Sequence, residues 1–255
     1  MCAGGAYPAP TPSEVLLLVA ITILAAVAGL LLSPVLLAVS ARAFEAGPLL
    51  TRRDLSRPLR LPPGVDAATF ARWKLPVTTV VTTVMFAATV PAVGLHWVLP
   101  GYLWFVAVTV VLSLTDIDRK LIPNRVLYPA TIVGAVLLAA GAAADGDLDL
   151  IGRAGLGGLA YFAFLYVVYL VARGGFGFGD VKLGFFIGLF AAYLSWGALF
   201  ISVVGAFIIG AGVSLVLLAL RIKGRKDPIP FGPYMVVAAY VAILWHEPIR
   251  DWYGS

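Results

Sequence analysis

Six long stretches without a charged side chain dominate this sequence of 255 residues. They are 15–41, 75–115, 126–144, 154–172, 183–220 and 228–246. A helix needs about 20 apolar residues to cross the hydrocarbon core of a membrane. Each of the four shorter stretches therefore predicts one spanning helix, and the two longest predict two each, with turn-forming residues near 91–101 and 195–197. We expect an all-α polytopic membrane protein with about eight transmembrane helices.

The scarcity of charge excludes several other classes of protein. Charged residues make up 12% of the chain and hydrophobic residues 61%, whereas soluble domains carry roughly 25% charged residues. A soluble globular protein and a disordered chain are therefore excluded. A disulfide scaffold is excluded as well, because Cys2 is the single cysteine. Continuous apolar runs also argue against a porin-like barrel, whose strands alternate in polarity.

The basic residues indicate how the chain crosses the membrane. If the N-terminus lies outside, 16 of the 18 Lys and Arg residues fall on the inner side, in 42–74, 119–125, 173–182 and 221–226. Only Arg153 and Arg250 fall outside, where an acidic cluster lies at 145–149. The positive-inside rule therefore predicts that both termini are outside. The positive charge is explained by topology and contact with membrane lipids, and we expect no nucleic-acid partner.

Two aspartates end or begin apolar stretches at the predicted inner boundary. Asp116 follows the stretch that ends at residue 115, and Asp180 precedes the one that begins at 183. Two carboxylates at one site can share a proton and activate water for peptide hydrolysis. Gly177 and Gly179 would let a substrate or a neighbouring helix approach closely. A Gly-x-Gly before an aspartate is, however, more often simply the start of a helix.

Three segments resemble motifs of a known family. DIDRKLIPN at 116–124 resembles the first catalytic motif of the type IV prepilin peptidases. GFGDVKL at 177–183 resembles their second motif, the GxGD signature shared with other intramembrane aspartic proteases. PFGPY at 230–234 resembles the sequence that opens a late helix in the family. The three segments occur in family order, on one predicted side of the membrane.

The resemblance implies an aspartic endopeptidase of the cytoplasmic membrane. In the family, the substrate is a prepilin or pilin-like precursor whose short basic leader is removed at the cytoplasmic face, for a type IV pilus or a secretion system. Asp116 and Asp180 are the implied catalytic residues. The other matched or neighbouring positions, expected to shape the site, are Gly177, Gly179, Lys182, Asp118, Pro123, Gly232 and Pro233. Asp118 lies about 200° from Asp116 around a helix, so we expect it to face away and to contact polar groups or a basic substrate segment.

The loop at 41–74 departs from the family pattern. Many members carry two Cys-x-x-Cys pairs there, in a metal-binding segment associated with N-methylation, but this loop contains no cysteine. We therefore expect no metal and no cofactor. The missing cysteines argue against N-methyltransferase activity, and whether any methylation occurs stays open. The expected organisation is a two-span region at 1–98, which includes this basic loop, followed by a six-span peptidase domain at 99–255.

Two other classes of function use the same sequence differently. An ion- or proton-coupled transporter would use Asp116 and Asp180 as coupling residues, and a membrane scaffold would need neither carboxylate. Zinc-protease chemistry fails at 246–250, because Arg250 stands where His-Glu-x-x-His requires its second histidine.

Overall fold

The computed structural model describes residues 11–44, 74–172, 176–221 and 230–246. Within these residues the chain forms eight α-helices and no β-strand, which confirms the all-α prediction. The helices are α1 (Pro12–Arg42), α2 (Leu75–Val93), α3 (Leu99–Arg119), α4 (Asn124–Asp145), α5 (Asp149–Val171), α6 (Phe178–Leu194), α7 (Trp196–Ala219) and α8 (Gly232–Leu244). Each apolar stretch therefore contains the number of helices predicted for it.

Six of the described helices are long and apolar enough to cross a membrane, namely α1 to α5 and α7. The chain is therefore a multi-pass membrane protein. The other two helices are shorter: α6 has 17 residues and α8 has 13. At 1.5 Å per residue they span about 25 Å and about 20 Å, less than the roughly 30 Å of hydrocarbon. Eight complete crossings with both termini outside remain a prediction.

The predicted loop at 41–74 lies mostly outside the described residues, which omit 45–73. The division into regions 1–98 and 99–255 also remains a prediction. In the described part, α1 packs mainly against α2, and both helices contact α3. A hydrogen bond between the Ser33 and Thr79 hydroxyls, 2.9 Å apart, joins α1 to α2 within this pair.

Glycines allow α5 and α6 to pack with their backbones in close contact. A Cβ atom built on Gly188 would lie 2.7 Å from the carbonyl oxygen of Gly157, and one on Gly184 would lie 2.6 Å from Leu165. Small residues at such interfaces allow the close approach on which helix association in membranes depends. The glycines of α6 therefore fix this helix against α5.

Buried aromatic and hydroxyl groups join the three helices that carry the motifs. The Tyr102 hydroxyl of α3 donates to the Phe190 carbonyl of α6 at 2.7 Å. Phe105 of α3 stacks on Phe186 of α6, with ring centroids 5.5 Å apart. The hydroxyls of Thr109 and Tyr240 lie 3.2 Å apart and connect α3 to α8. These contacts hold α3, α6 and α8 in one packed unit.

Arg153 of α5 holds the far end of α6. Its Nε atom donates to the Ala192 carbonyl at 2.8 Å, and its Nη2 atom donates to the Leu194 carbonyl at 3.0 Å and to the Tyr193 carbonyl. The last carbonyls of a helix have no partner within the helix. A cation at this end also interacts favourably with the helix dipole. Arg153 therefore caps α6 at the end opposite Asp180.

Candidate active site

Asp116 lies in the last turn of α3 and its side chain is only 4% exposed. The helix ends just beyond it, because Lys120 adopts a left-handed conformation with φ 54° and donates its N–H to the Asp116 carbonyl at 2.8 Å. The side chain accepts a hydrogen bond at Oδ2 from the backbone N–H of Gly232, 3.0 Å away. This hydrogen bond fixes the orientation of a buried carboxyl group.

Asp180 lies in the first turn of α6 and is 9% exposed. Gly177 caps the helix in an extended conformation, and its carbonyl accepts the Asp180 N–H at 3.1 Å. A Cβ atom on Gly177 would lie 3.1 Å from the Asp180 carboxylate oxygen Oδ2. The Gly-x-Gly sequence thus starts a helix and also leaves room for the carboxylate, so the two readings of this sequence are compatible.

The starts of α6 and α8 meet the end of α3 around the two aspartates. Gly179 packs against Ile122, which lies just after α3, and a Cβ atom on Gly179 would be 3.2 Å from the Ile122 Cβ. Gly232 lies between Asp116 and Leu183, the latter one turn beyond Asp180. These contacts bring together the helix ends that carry Asp116 and Asp180. Two buried aspartates 64 positions apart in the sequence therefore lie at converging helix ends.

The third motif forms the N-terminus of α8. Gly232 is the first residue of this helix and Pro233 the second. Proline suits the start of a helix, because its missing N–H would have no partner there. The preceding Phe231 packs its ring against Phe176 and Phe207, with centroid distances of 5.3 and 5.2 Å. These aromatic contacts hold the N–H group of Gly232, the first residue of α8, against Asp116.

Lys182 and Pro123 lie at a different contact, between α6 and α4. Pro123 precedes α4 as its capping residue. The Lys182 ammonium donates to the side-chain oxygen of Asn124 at 2.6 Å. It also lies 5.1 Å from the centre of the Phe178 ring and 5.6 Å from that of Tyr128. Lys182 thus connects α6 to the start of α4.

Asp118 pairs with Lys74, at 2.6 Å between Oδ1 and Nζ, and its side chain is 39% exposed. The pair links the start of α2 to the end of α3. Within the described part of the chain, no hydrogen bond or ion pair joins Asp118 to Asp116 or Asp180. A contribution of Asp118 to the site stays a prediction.

Comparison with known proteins shows the family. The model of the type IV leader peptidase family matches residues 103–215, which include both aspartates. The prepilin leader peptidase/N-methyltransferase of Bacillus subtilis is 31% identical over 181 residues, which cover 70% of this chain and 68% of that protein. This chain belongs to the type IV leader peptidase family.

Two other relatives are also described as prepilin leader peptidase/N-methyltransferases, but this chain matches a smaller share of their length. The Aeromonas hydrophila protein is 30% identical over 195 residues, which cover 74% of this chain and 64% of that protein. The Pseudomonas aeruginosa protein is 31% identical over 143 residues, which cover 56% of this chain and 48% of that protein. The chain therefore spans less than two thirds of these relatives. No solved structure matches it.

Two tyrosines near the aspartates were missed by sequence reasoning. Tyr161 of α5 is 1% exposed, and its hydroxyl donates to the Ser202 carbonyl at 3.4 Å. A Cβ atom on Gly184, one turn beyond Asp180, would lie 3.4 Å from the Tyr161 ring. Tyr234 of α8 lies two residues after Gly232, which donates to Asp116. Tyr234 belongs to the third motif, whereas Tyr161 lies in an ordinary apolar helix. No sequence signal marks Tyr161 as a neighbour of the site.

The site offers no cluster of metal ligands in the described ranges. Among residues 11–44, 74–172, 176–221 and 230–246, no group of three or more His, Cys, Asp or Glu side chains is placed to hold a metal ion. The described chemistry at this position is that of two buried carboxyl groups and backbone N–H donors.

Proposed function

We propose that this member of the type IV leader peptidase family is an aspartic endopeptidase that removes the basic leader of type IV prepilins or pilin-like precursors. One observation carries the proposal: two buried aspartates lie at the end of α3 and in the first turn of α6, where Gly179 packs against Ile122. Ionisable groups inside a membrane protein are costly, and a functional role is the default explanation for them.

Two neighbouring aspartates can hydrolyse a peptide bond when they share one proton. The ionised carboxylate accepts a proton from water as the water oxygen attacks the peptide carbonyl carbon. The protonated carboxyl gives its proton to the carbonyl oxygen. As the tetrahedral intermediate collapses, the C–N bond breaks and the leaving amine takes the proton that the first carboxylate had accepted from water. A hydroxyl of the intermediate returns its proton to the second carboxylate, which restores the starting state of the pair. The Gly232 N–H fixes the Asp116 carboxyl for this exchange.

The proposed substrate follows from the position of the site and from the relatives' names. The relatives of Bacillus, Aeromonas and Pseudomonas are all described as prepilin leader peptidases. Both aspartates lie at helix ends that the positive-inside rule predicts to be at the cytoplasmic face. The backbone inside a helix is fully hydrogen-bonded, whereas the groups at a helix end lack partners within the helix. We therefore propose that cleavage occurs at the junction between a polar leader and an apolar helix. We propose no methyltransferase reaction for this chain.

The alternative of an ion- or proton-coupled transporter has no comparable support. It uses the same two aspartates but requires access to the site from each side of the membrane in turn. None of the relatives reported above is described as a transporter.

Co-expression with a prepilin tests the proposal. We expect Asp116→Asn and Asp180→Asn each to reduce leader removal by at least about 10²-fold, the lower range for loss of a general acid or base. Asp145→Asn is the matched control, since it removes an exposed carboxyl group at the last residue of α4, at the opposite end of this helix from the first motif, and we expect it to retain processing. The proposal would be refuted if Asp116→Asn and Asp180→Asn both insert correctly into the membrane and still remove the leader. If the wild type takes up a solute but processes no prepilin, and both Asn substitutions abolish the uptake, the result would favour transport.

A further inference from the structure

An apolar groove opens between α4, α5 and α6, away from the two aspartates. Its volume is about 580 Å³. Its walls are apolar and aromatic except for one threonine and one lysine, and they comprise Leu127, Tyr128, Thr131, Ile132, Leu159, Phe162, Phe178, Lys182 and Phe185. On α4 the lining begins three residues after its first residue, Asn124, so the groove lies in the half of the bundle nearest the motifs.

Lys182 gives this groove a positive charge at one end. Its ammonium reaches Asn124 at the start of α4, while its stem lies along the groove wall. Long cationic side chains commonly bury their stems in this way and keep the charge at the membrane boundary. One of its three N–H donors is used by Asn124. In the described ranges, no carboxylate forms a salt bridge with Lys182.

The groove faces away from the proposed active site. Phe178, Lys182 and Phe185 recur at spacings of four and three residues and so form one face of α6. Asp180 lies about 200° around the helix from Phe178, on the opposite face. A substrate held at the two aspartates would therefore not fill this groove.

The size of the groove favours a lipid chain over a helix. A helix with its side chains is about 10–12 Å across, so a volume of this size holds only about one helical turn. A flexible acyl chain can instead extend along an apolar groove between helices. The cationic end lies on the side where the positive-inside rule places the cytoplasm, whose leaflet carries the anionic lipids.

We propose that the groove binds one anionic phospholipid of the cytoplasmic leaflet. An acyl chain lies along Leu127, Thr131 and Phe185, and the phosphate accepts hydrogen bonds from the free donors of Lys182. The bound lipid fills the space between α4 and the α5–α6 pair. This inference does not depend on the peptidase proposal, because it concerns the opposite face of α6.

Lipid retention tests the site directly. The full-length protein is reconstituted with equal amounts of phosphatidylglycerol and phosphatidylcholine, extracted with mild detergent and weighed by native mass spectrometry. We expect one retained phospholipid per protein, predominantly phosphatidylglycerol. Lys182→Gln lowers the ratio of retained phosphatidylglycerol to phosphatidylcholine by about fivefold, because membrane-surface lysines contribute on this scale. Lys120→Gln, which removes an exposed cation at the end of α3, leaves the ratio unchanged.

A groove-filling variant tests the second half of the site independently. Thr131→Phe adds a ring inside the groove while keeping its mouth intact, and we expect it to reduce retention of both lipids, with helicity checked by circular dichroism. If the wild-type protein retains neither lipid, the proposal is overturned and a protein segment becomes the expected occupant of the groove. Equal retention of the two lipids by the wild type, or unchanged phosphatidylglycerol retention in both Lys182→Gln and Thr131→Phe, also overturns it.

Discussion

Gly232→Ala offers the sharpest test of how the site is assembled. The added Cβ atom would lie 2.8 Å from the Asp116 Oδ2 and 3.3 Å from its Cγ. Ordinary contacts of a Cβ atom begin at 3.4 Å, so the carboxyl or the start of α8 must move by about 0.6 Å. Either movement strains the hydrogen bond between the Gly232 N–H and Asp116, which is 3.0 Å long.

The size of the expected effect follows from this displacement. A misplacement of about 1 Å in a catalytic group can reduce the rate by about 10²-fold. Since the required movement is smaller, we expect leader removal to fall by between about 10-fold and 10²-fold. The overpacking itself costs about 1–3 kcal/mol in stability. The loss should appear in kcat rather than in KM, because the substitution disturbs a reacting group.

The assay is leader removal from a purified prepilin in detergent or liposomes, followed by gel shift at several substrate concentrations. Gly155→Ala is the matched control, because a Cβ atom there would meet nothing within 4 Å. In a helix this change is neutral or stabilising by up to about 1 kcal/mol. Wild-type kcat in Gly232→Ala would refute the role given to the start of α8. A comparable loss in Gly155→Ala would show that the effect is not specific to the site.

Two further substitutions test the packing that holds α6 in place. Gly188→Ala would put a Cβ atom 2.7 Å from the Gly157 carbonyl oxygen. We expect this overpacking to lower the free energy of unfolding by about 1–3 kcal/mol, measured by thermal unfolding in detergent. An unchanged midpoint would contradict this prediction. Arg153→Lys keeps the charge but loses the planar set of donors that reaches three carbonyls. We expect it to lower stability by about 1–3 kcal/mol, because carbonyls at the end of α6 lose their partners; stability equal to that of the wild type would show that the cap contributes little.

The positions of the helices were predictable because few charges interrupt the apolar stretches. The long stretch at 75–115 divides where α2 ends, at Gly94 with φ 73°. The stretch at 183–220 divides at Ser195, whose hydroxyl accepts the Ala198 N–H at 2.9 Å and caps α7. Turn and cap residues act over three or four positions, so their effect can be seen in the sequence. The start of α6 was less clear, since Asp180 and Lys182 interrupt the apolar pattern of its first turn.

The site could be predicted only in part from the sequence. The motifs identify Asp116 and Asp180 as candidates, because carboxylates at the ends of apolar stretches are conspicuous. The partner of Asp116 could not be inferred, since the Gly232 N–H is 116 residues away and carries no side-chain signal. The pairing of Lys182 with Asn124 is likewise set by the packing of α6 against α4. Such contacts depend on three-dimensional packing that a single sequence does not specify.

The short length of α8 links the fold to the chemistry of the site. The thirteen residues of α8 span about 20 Å, less than the roughly 30 Å of hydrocarbon in a membrane. A helix that begins below the boundary exposes backbone N–H groups at a depth where each needs a partner. At Gly232 that partner is the Asp116 carboxyl, so the helix start and the buried carboxyl satisfy each other. The same short helix therefore stabilises its own buried N-terminus and orients a carboxyl group for the proposed reaction.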